Sequence, residues 1–553
     1  MIGVISKESE RSIVEEFFQL FKTLWEPYQE NKFYDVVICT TNKIPNIKTR
    51  LLLIFSSEKT QFDIDNHLEI NPQETNAILD NNGTAIPVYG KCLFFSNNQN
   101  QVISYKVSAV PAGIKLISDG TVSLRLGYDL FNEILYLLSK GQPTEYAQLP
   151  TVDIHIRLIR NWILEHGIIL LEIPPVPKGY KFITCLTHDV DFVGIKRYGF
   201  GPTLLGFLYR ATIGSLVNYF RGRIPVQRLF KNLKAATLLP FVHLGIIKDF
   251  WIQFERYLNI ENGLGSTFFI VPFKNRAGRS LTGVAPSRRA VKYDIAEIED
   301  YIQKIINRGA EIGLHGIDAW IDREQASKEL ERITKYNGEK KIGVRMHWLY
   351  SKNDSLQILE RAGFYYDSTY GYNETIGYLA GTVQAFCPPE ATKLLELSMH
   401  LMDTALFYPR RMNLNETEAN KLVNKLLKNS LDYGGHLTVN WHHRSLAPER
   451  LWDDYYNELL AKLKELNCWF ACAKDVVGWF YKRRSVGFEK VEIKGKKIFI
   501  KLSGNVSDKF PGLLLRLYLP SNCLKMRNSV DNQSGTVIDY PIESDSEFEL
   551  RLN

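Results

Sequence analysis

The sequence predicts an α/β protein centred on a (β/α) barrel, with an N-terminal α/β accessory domain (1–175) and a small β-rich C-terminal appendage (485–553). Three observations carry this expectation. Between Lys181 and about Arg484, eight short apolar segments alternate with helical patterns. The stretches on either side are patterned differently. At 553 residues the chain also exceeds what a single hydrophobic core organises.

Taken in order, the first region holds YDVVICT, RLLLIFSS and KCLFFS, which read as strands broken by Asn, Gly and Pro. LGYDLFNEILYLLSK and TVDIHIRLIRNWILEHG carry apolar residues at helical spacing. LEIPPVPKGY cannot continue a helix and reads as a linker into the region 176–484. There the strand candidates are KFITCLTHDVD, GSTFFIVP, AEIGLHG, IGVRMHWL, FYYDSTYG, LLELSMHLMD, HLTVNWHH and CWFACAKDV. Helical patterns such as DIAEIEDYIQKIINRG, with Asp294 at its N-cap and Gly309 past its end, lie between them. Strands interleaved with helices imply a parallel sheet, and eight of them suit a barrel; a doubly wound open sheet is the competitor. After 485, VEIKGKKIFIKLSG and GLLLRLYLP return to alternation and lead into an acidic tail.

Composition narrows the function classes. A net charge of +7, from 68 basic and 61 acidic residues, does not suggest a nucleic-acid binder. Seven scattered cysteines without a CxxC pair indicate neither a disulfide scaffold nor a structural zinc site. MIGVISKESERSIVEEFF lacks the basic start and apolar run of a secretory signal, and no stretch approaches a spanning helix, so a cytoplasmic location is expected.

In α/β barrels the reactive side chains sit where strands end. Strand one ends in Thr187-His188-Asp189-Val190-Asp191, and alternation puts Asp189 and Asp191 on one side with His188 opposite. The following strand ends supply His315, then Arg345 with His347, then Asp367, then His442 beside His443. One carboxylate with two imidazoles and an open position suits a catalytic divalent ion, zinc by ligand type. A second carboxylate and a histidine can serve as base and acid.

These motifs, in this order, resemble the polysaccharide deacetylase superfamily (carbohydrate esterase family four), whose deformed (β/α) barrel is assembled around five short motifs. The resemblance covers roughly 300 residues, the size of such a barrel. It implies that Asp189 is the base and Asp191 a metal ligand. It gives His315 as the first histidine of the second motif, but Ala319 stands where the second belongs. His347 is the expected replacement ligand, and Asp318 the weaker one. Arg345 would orient the base, Asp367 would help hold the arginine, and His442 would be the general acid. The implied activity is metal-dependent removal of N- or O-linked acetyl groups from a carbohydrate in polysaccharide or cell-envelope glycan metabolism. The alternatives are a catalytically silent glycan-binding protein and a hydrolase of another C–N bond.

Some residues have plainer readings. Cys185 reads as core packing, His443 as a solvated neighbour of His442, and Asp403 ends a strand without an assigned role. Within the helical insertion 194–260, residues 194–248 hold nine Lys or Arg and no Asp or Glu. This is either a solvated basic face over the barrel or a contact with anionic lipid headgroups or an acidic glycan.

Overall fold

The computed structural model describes residues 1–96, 100–118, 120–495, 497–504, 509–520, 536–543 and 547–551. Cys523 and parts of the acidic tail lie outside them. The chain forms two compact units: Met1–Gly179 with Ala380–Pro389 and Trp479–Asn553, and Tyr180–Leu379 with Glu390–Gly478.

The second unit is built on a curled, all-parallel sheet. Its strands are β1 (Ile183–Val190), β2 (Ser266–Ile270), β3 (Glu311–Gly316), β4 (Gly343–Met346), β5 (Tyr366–Asp367), β6 (Leu395–Glu396), β7 (Leu401–Met402), β8 (His436–Asn440) and β9 (Trp469–Phe470). The order is β6-β5-β4-β3-β2-β1-β8-β7, with β9 also on β1. All eight strand candidates are present. One of them, LLELSMHLMD, supplies both edge strands, because its first half pairs with β5 and its second with β8. Between the two halves, the Leu397 N–H donates to the Asp367 carbonyl and the His400 N–H to Thr438. One extended segment thus links the two edges of the sheet, which is how a barrel with such short strands is deformed rather than open.

The central strands carry polar residues among the apolar ones, as in ITCLTHDV of β1, yet are buried along their length. Every residue of β1, β2, β3 and β4 is buried. Helix Glu299–Asn307 follows a 3₁₀ turn that Asp294 caps by accepting from the Ala296 N–H at 3.0 Å, and Gly309 ends the connection at φ 78°. The basic insertion is helical at Pro202–Tyr209, Ser215–Phe220, Val226–His243 and Phe254–Ile260.

The first unit contains a mixed nine-stranded sheet, parallel from Trp25–Pro27 through Ile2–Ile5, Tyr34–Cys39 and Thr49–Phe55 to Thr121–Leu126, then antiparallel. The sequence divides into three stretches, but the C-terminal strands join this unit instead of standing apart. Leu513–Leu519 pairs antiparallel with Leu170–Glu172 and with Thr536–Ile542. Alternating short strands have unpaired edges, and pairing across the chain satisfies them. No helix among the described residues is long and apolar enough to cross a membrane.

Candidate active site and metal centre

The pleat of β1 sends alternate side chains to opposite faces. His188 takes the far face, where its Nδ1–H donates to the Trp441 carbonyl at 2.8 Å and its Nε2 meets Glu261. Asp189 and the following Asp191 point to the near face, toward the ends of β3 and β4.

Register brings the histidines there. His315 on β3 lies opposite Arg345 on β4, and His347 follows Arg345 by two residues. Immediately after His347 the chain turns through Trp348 and Leu349 at φ 66° and 57°. Left-handed backbone at two bulky residues is strained by about 1 kcal/mol or more each, the kind of strain that marks functional turns. Asp191, His315 and His347 converge. Asp191 Oδ1 lies 3.3 Å from His315 Nε2 and 3.2 Å from His347 Nδ1, and the two ring nitrogens are 3.0 Å apart.

The protons on these rings point away from one another. His315 Nδ1 bonds the Arg345 carbonyl at 2.9 Å, and His347 Nε2 bonds the Arg289 carbonyl at 3.1 Å. A carbonyl only accepts, so each bonded nitrogen carries its hydrogen and, in the neutral ring, the other nitrogen is a bare lone pair. Burial pushes the pKa of His347 down despite Asp191 beside it, favouring the neutral form. Asp191 is half-buried, which opposes its charge, yet a positive charge on His347 or His315 holds its carboxyl well below the usual range. Its Oδ1 is buried with no hydrogen-bond partner among the described residues. Three acceptors therefore face one point with no hydrogen among them. Ligands at tetrahedral zinc distances would be about 3.4 Å apart, close to the spacings seen. The outward hydrogen bonds to carbonyls are the support that metal-binding imidazoles normally have. The residues fit a divalent ion.

Asp189 is held from both sides. Arg345 Nη1 donates to its Oδ1 at 3.0 Å and Asn440 Nδ2 to its Oδ2 at 2.7 Å. Burial would raise its pKa, but Arg345, His315 and His442 outweigh that and lower it. His442, at the end of β8, has its Nε2 3.8 Å from Asp191 Oδ2. Its Nδ1 bonds Asp403 Oδ1 at 2.6 Å, and its own N–H donates to Asp403 Oδ2 at 2.8 Å. Burial alone would lower the pKa of His442, and Asp403 reverses this and raises it. The side chains of Asp191 and His442 are 19% and 14% exposed against 2% for His315, so the cluster opens to solvent on their side.

Of the residues singled out from the sequence, Asp189, Asp191, His315, Arg345, His347 and His442 come together. Asp367 does not do what the resemblance implied. Its carboxyl accepts from the Ser368 N–H and Thr369 Oγ1 and shares a hydrogen bond with Glu396, its direct partner across β5–β6. Arg345 is held instead by Ser368, through its carbonyl at 3.1 Å and its Oγ at 2.9 Å, and by Thr187 Oγ1. Asp318 faces Arg276 and the Arg279 N–H, outside the trio. His443 turns to the Gln253 N–H and is buried, its pKa pushed down to about 3 by desolvation, so it is not a solvated neighbour. Sequence reasoning missed Asn440 and the pairing of Asp403. Asn440 precedes His442 by two residues and so shares its face, a signal that period-two reading offers.

No family model and no curated protein matches the chain. Several solved structures do. One from Mycobacterium smegmatis, assigned as a polysaccharide deacetylase, is 18% identical, covers 56% of this chain and 95% of its own, and has a TM-score of 0.34. Agd3, a carbohydrate deacetylase, is 9% identical over 100% of this chain and 98% of its own, at a TM-score of 0.39. The polysaccharide deacetylase Bc1974 from Bacillus cereus is 11% identical over 53% and 91%, at 0.25. With every TM-score this low, the chemistry rests on the geometry above and not on these neighbours. Polysaccharide deacetylases nonetheless recur among the solved structures to which this chain is similar.

Proposed function

We propose that the chain is a hydrolase that removes N- or O-linked acetyl groups from a carbohydrate, with Asp191, His315 and His347 holding a divalent ion, zinc by ligand type. What carries this reading is the convergence of three hydrogen-free acceptors on one point, beside a separately held carboxylate and imidazole. The chemistry such a cation supplies when bound is polarisation of the acetyl carbonyl and acidification of a water. The chain's own groups divide the proton work. Asp189, kept ionised by Arg345 and Asn440, takes the proton of the attacking water. His442, kept protonated by Asp403, donates from Nε2 to the departing amine or alkoxide, so that neither leaves as a strong base. Water and the acetylated sugar become acetate and the free amine or hydroxyl.

Metal analysis of the purified chain, paired with acetate release from a panel of acetylated glycans with and without chelator, tests this. The expected result is about one ion per chain, turnover abolished by chelator and restored by zinc, and loss of metal in Asp191→Ala. Asp189→Asn should keep the metal and lower kcat by about 10²-fold or more. A metal-free chain whose glycan binding survives Asp189→Ala would instead be a silent binding module. Turnover of non-carbohydrate amides alone would place it with hydrolases of other C–N bonds.

A further inference from the structure

The segment 194–248, with nine basic and no acidic residues, forms a helical hairpin on the barrel unit. Pro202–Tyr209 continues through a π turn, Arg210–Gly214, into Ser215–Phe220, and Val226–His243 returns. One side of this hairpin is accounted for. Leu204, Phe207, Ala211, Ala235, Leu239 and Val242 are buried in a cluster with Trp251.

The outer side of such a hairpin is ordinarily polar, and here it is not. Phe200 is 92% exposed, Phe220 81%, Leu244 72% and Phe230 65%. On the returning helix Val226, Phe230, Lys234, Thr237 and Phe241 are all exposed and fall in a single stripe at the helical period. On the outgoing one Leu205, Tyr209, Ile213 and Leu216 do the same. The charges mixed with these side chains are only partly neutralised. Arg197, Arg210, Arg228 and Lys248 pair with glutamates. Lys196, Arg221, Lys231 and Lys234 form no ion pair among the described residues. A cavity of about 320 Å³ lies in the same region; its walls hold five arginines, Arg221 and Arg223 among them, against Glu416 and Glu449, a net positive lining with space for a phosphate-bearing headgroup.

We propose that this hairpin seats the barrel on an anionic phospholipid bilayer. The exposed Phe, Leu and Ile side chains enter the headgroup boundary, and the unpaired Lys and Arg meet lipid phosphate and carboxylate. A second copy of the chain fits less well. A two-fold contact would set the positive face against itself, and the hairpin holds no acidic residue to neutralise it. The proposal goes beyond the deacetylase reading and does not depend on it. With both, the glycan acted upon is one presented at a membrane surface.

Flotation of the full chain with phosphatidylcholine vesicles, and with vesicles containing phosphatidylserine, at low and high salt tests the inference. Binding should require phosphatidylserine and weaken at high salt. Lys231→Gln with Lys234→Gln should weaken it about thirtyfold. Phe220→Ser with Phe230→Ser should remove it while leaving the unfolding midpoint unchanged, since both rings are exposed. The proposal is overturned by absence of binding to anionic vesicles at low salt, or by binding that neither variant affects. It is equally overturned if sedimentation shows a dimer that the phenylalanine variant dissolves. Because the readout needs no acetylated substrate and no metal, failure of the hydrolase reading leaves it standing, and the converse holds.

Discussion

Asp403 and His442 form the pair on which the protonation state of the site turns. Their 2.6 Å contact puts the hydrogen of His442 on Nδ1 and leaves Nε2 facing the cluster. Burial opposes the charge on both, yet each holds the other charged: Asp403 is pushed below its ordinary range and His442 above its own. A histidine with a raised pKa delivers its proton up to that pKa and fails above it. The rate should therefore hold beyond the ordinary imidazole range and fall on the alkaline side. On the acid side, the lowered pKa of Asp189 keeps the base ionised below the usual carboxylate range. Asp403→Asn removes the charge that raises His442. The alkaline limb should move to lower pH and kcat should fall by about 10²-fold, while metal content, set by other residues, is unchanged. A pH profile of acetate release checks this, and a limb that stays in place would deny His442 its role as acid. Asp403 was visible in the sequence only as a strand end. Nothing in its neighbours says that it faces a histidine 39 residues later.

At the scale of elements, the strands were readable because short β-branched and apolar stretches, as in KFITCLTHDVD and HLTVNWHH, alternate with helical patterns along the barrel region. Which residues face each other was readable only within a strand. The alternation that separates Asp189 from His188 is local, whereas the register placing His315 opposite Arg345 depends on two strands 30 residues apart. Asp367 illustrates the limit. It sits on the right strand, but Glu396 across from it takes its carboxyl, and the adjacent Ser368 reaches the arginine. Gly343 shows how tightly that register is fixed. It lies opposite Tyr366, whose ring covers it and whose hydroxyl donates to Glu311 at 2.9 Å. A Cβ at Gly343 would come within 1.8 Å of the ring. Gly343→Ala must displace a buried tyrosine and should cost about 3 kcal/mol. A urea midpoint lowered accordingly, with loss of metal binding as β4 shifts under His347, is the expected outcome. An unchanged midpoint would mean that β4 and β5 do not pair as described.

Across the whole molecule, the chain builds part of one unit, then the barrel, and returns to finish the first. Arg483 shows what that return accomplishes. It is 1% exposed and donates to the carbonyls of Ile173, Gln19 and Leu20 and to Gln384 Oε1, joining stretches from four separate parts of the sequence within that unit. Burial lowers its pKa to about 9, so it remains charged at neutral pH, with Glu172, Asp153 and Glu16 nearby. The sequence gives no sign of this role for Arg483, since the carbonyls it serves carry no side-chain signature. Arg483→Ala would leave those buried acceptors without a donor and should cost about 3–5 kcal/mol. Arg483→Lys should not rescue it, because an ammonium lacks the fork that spans several carbonyls. Hydrogen exchange locates the effect. Peptides covering Ile2–Ile5 and Tyr34–Cys39 should lose protection, while those covering Ile183–Val190 keep it. An equal loss in both would mean that the chain unfolds as one cooperative body, and that the return of the C-terminal segment stabilises the barrel as much as the unit it completes.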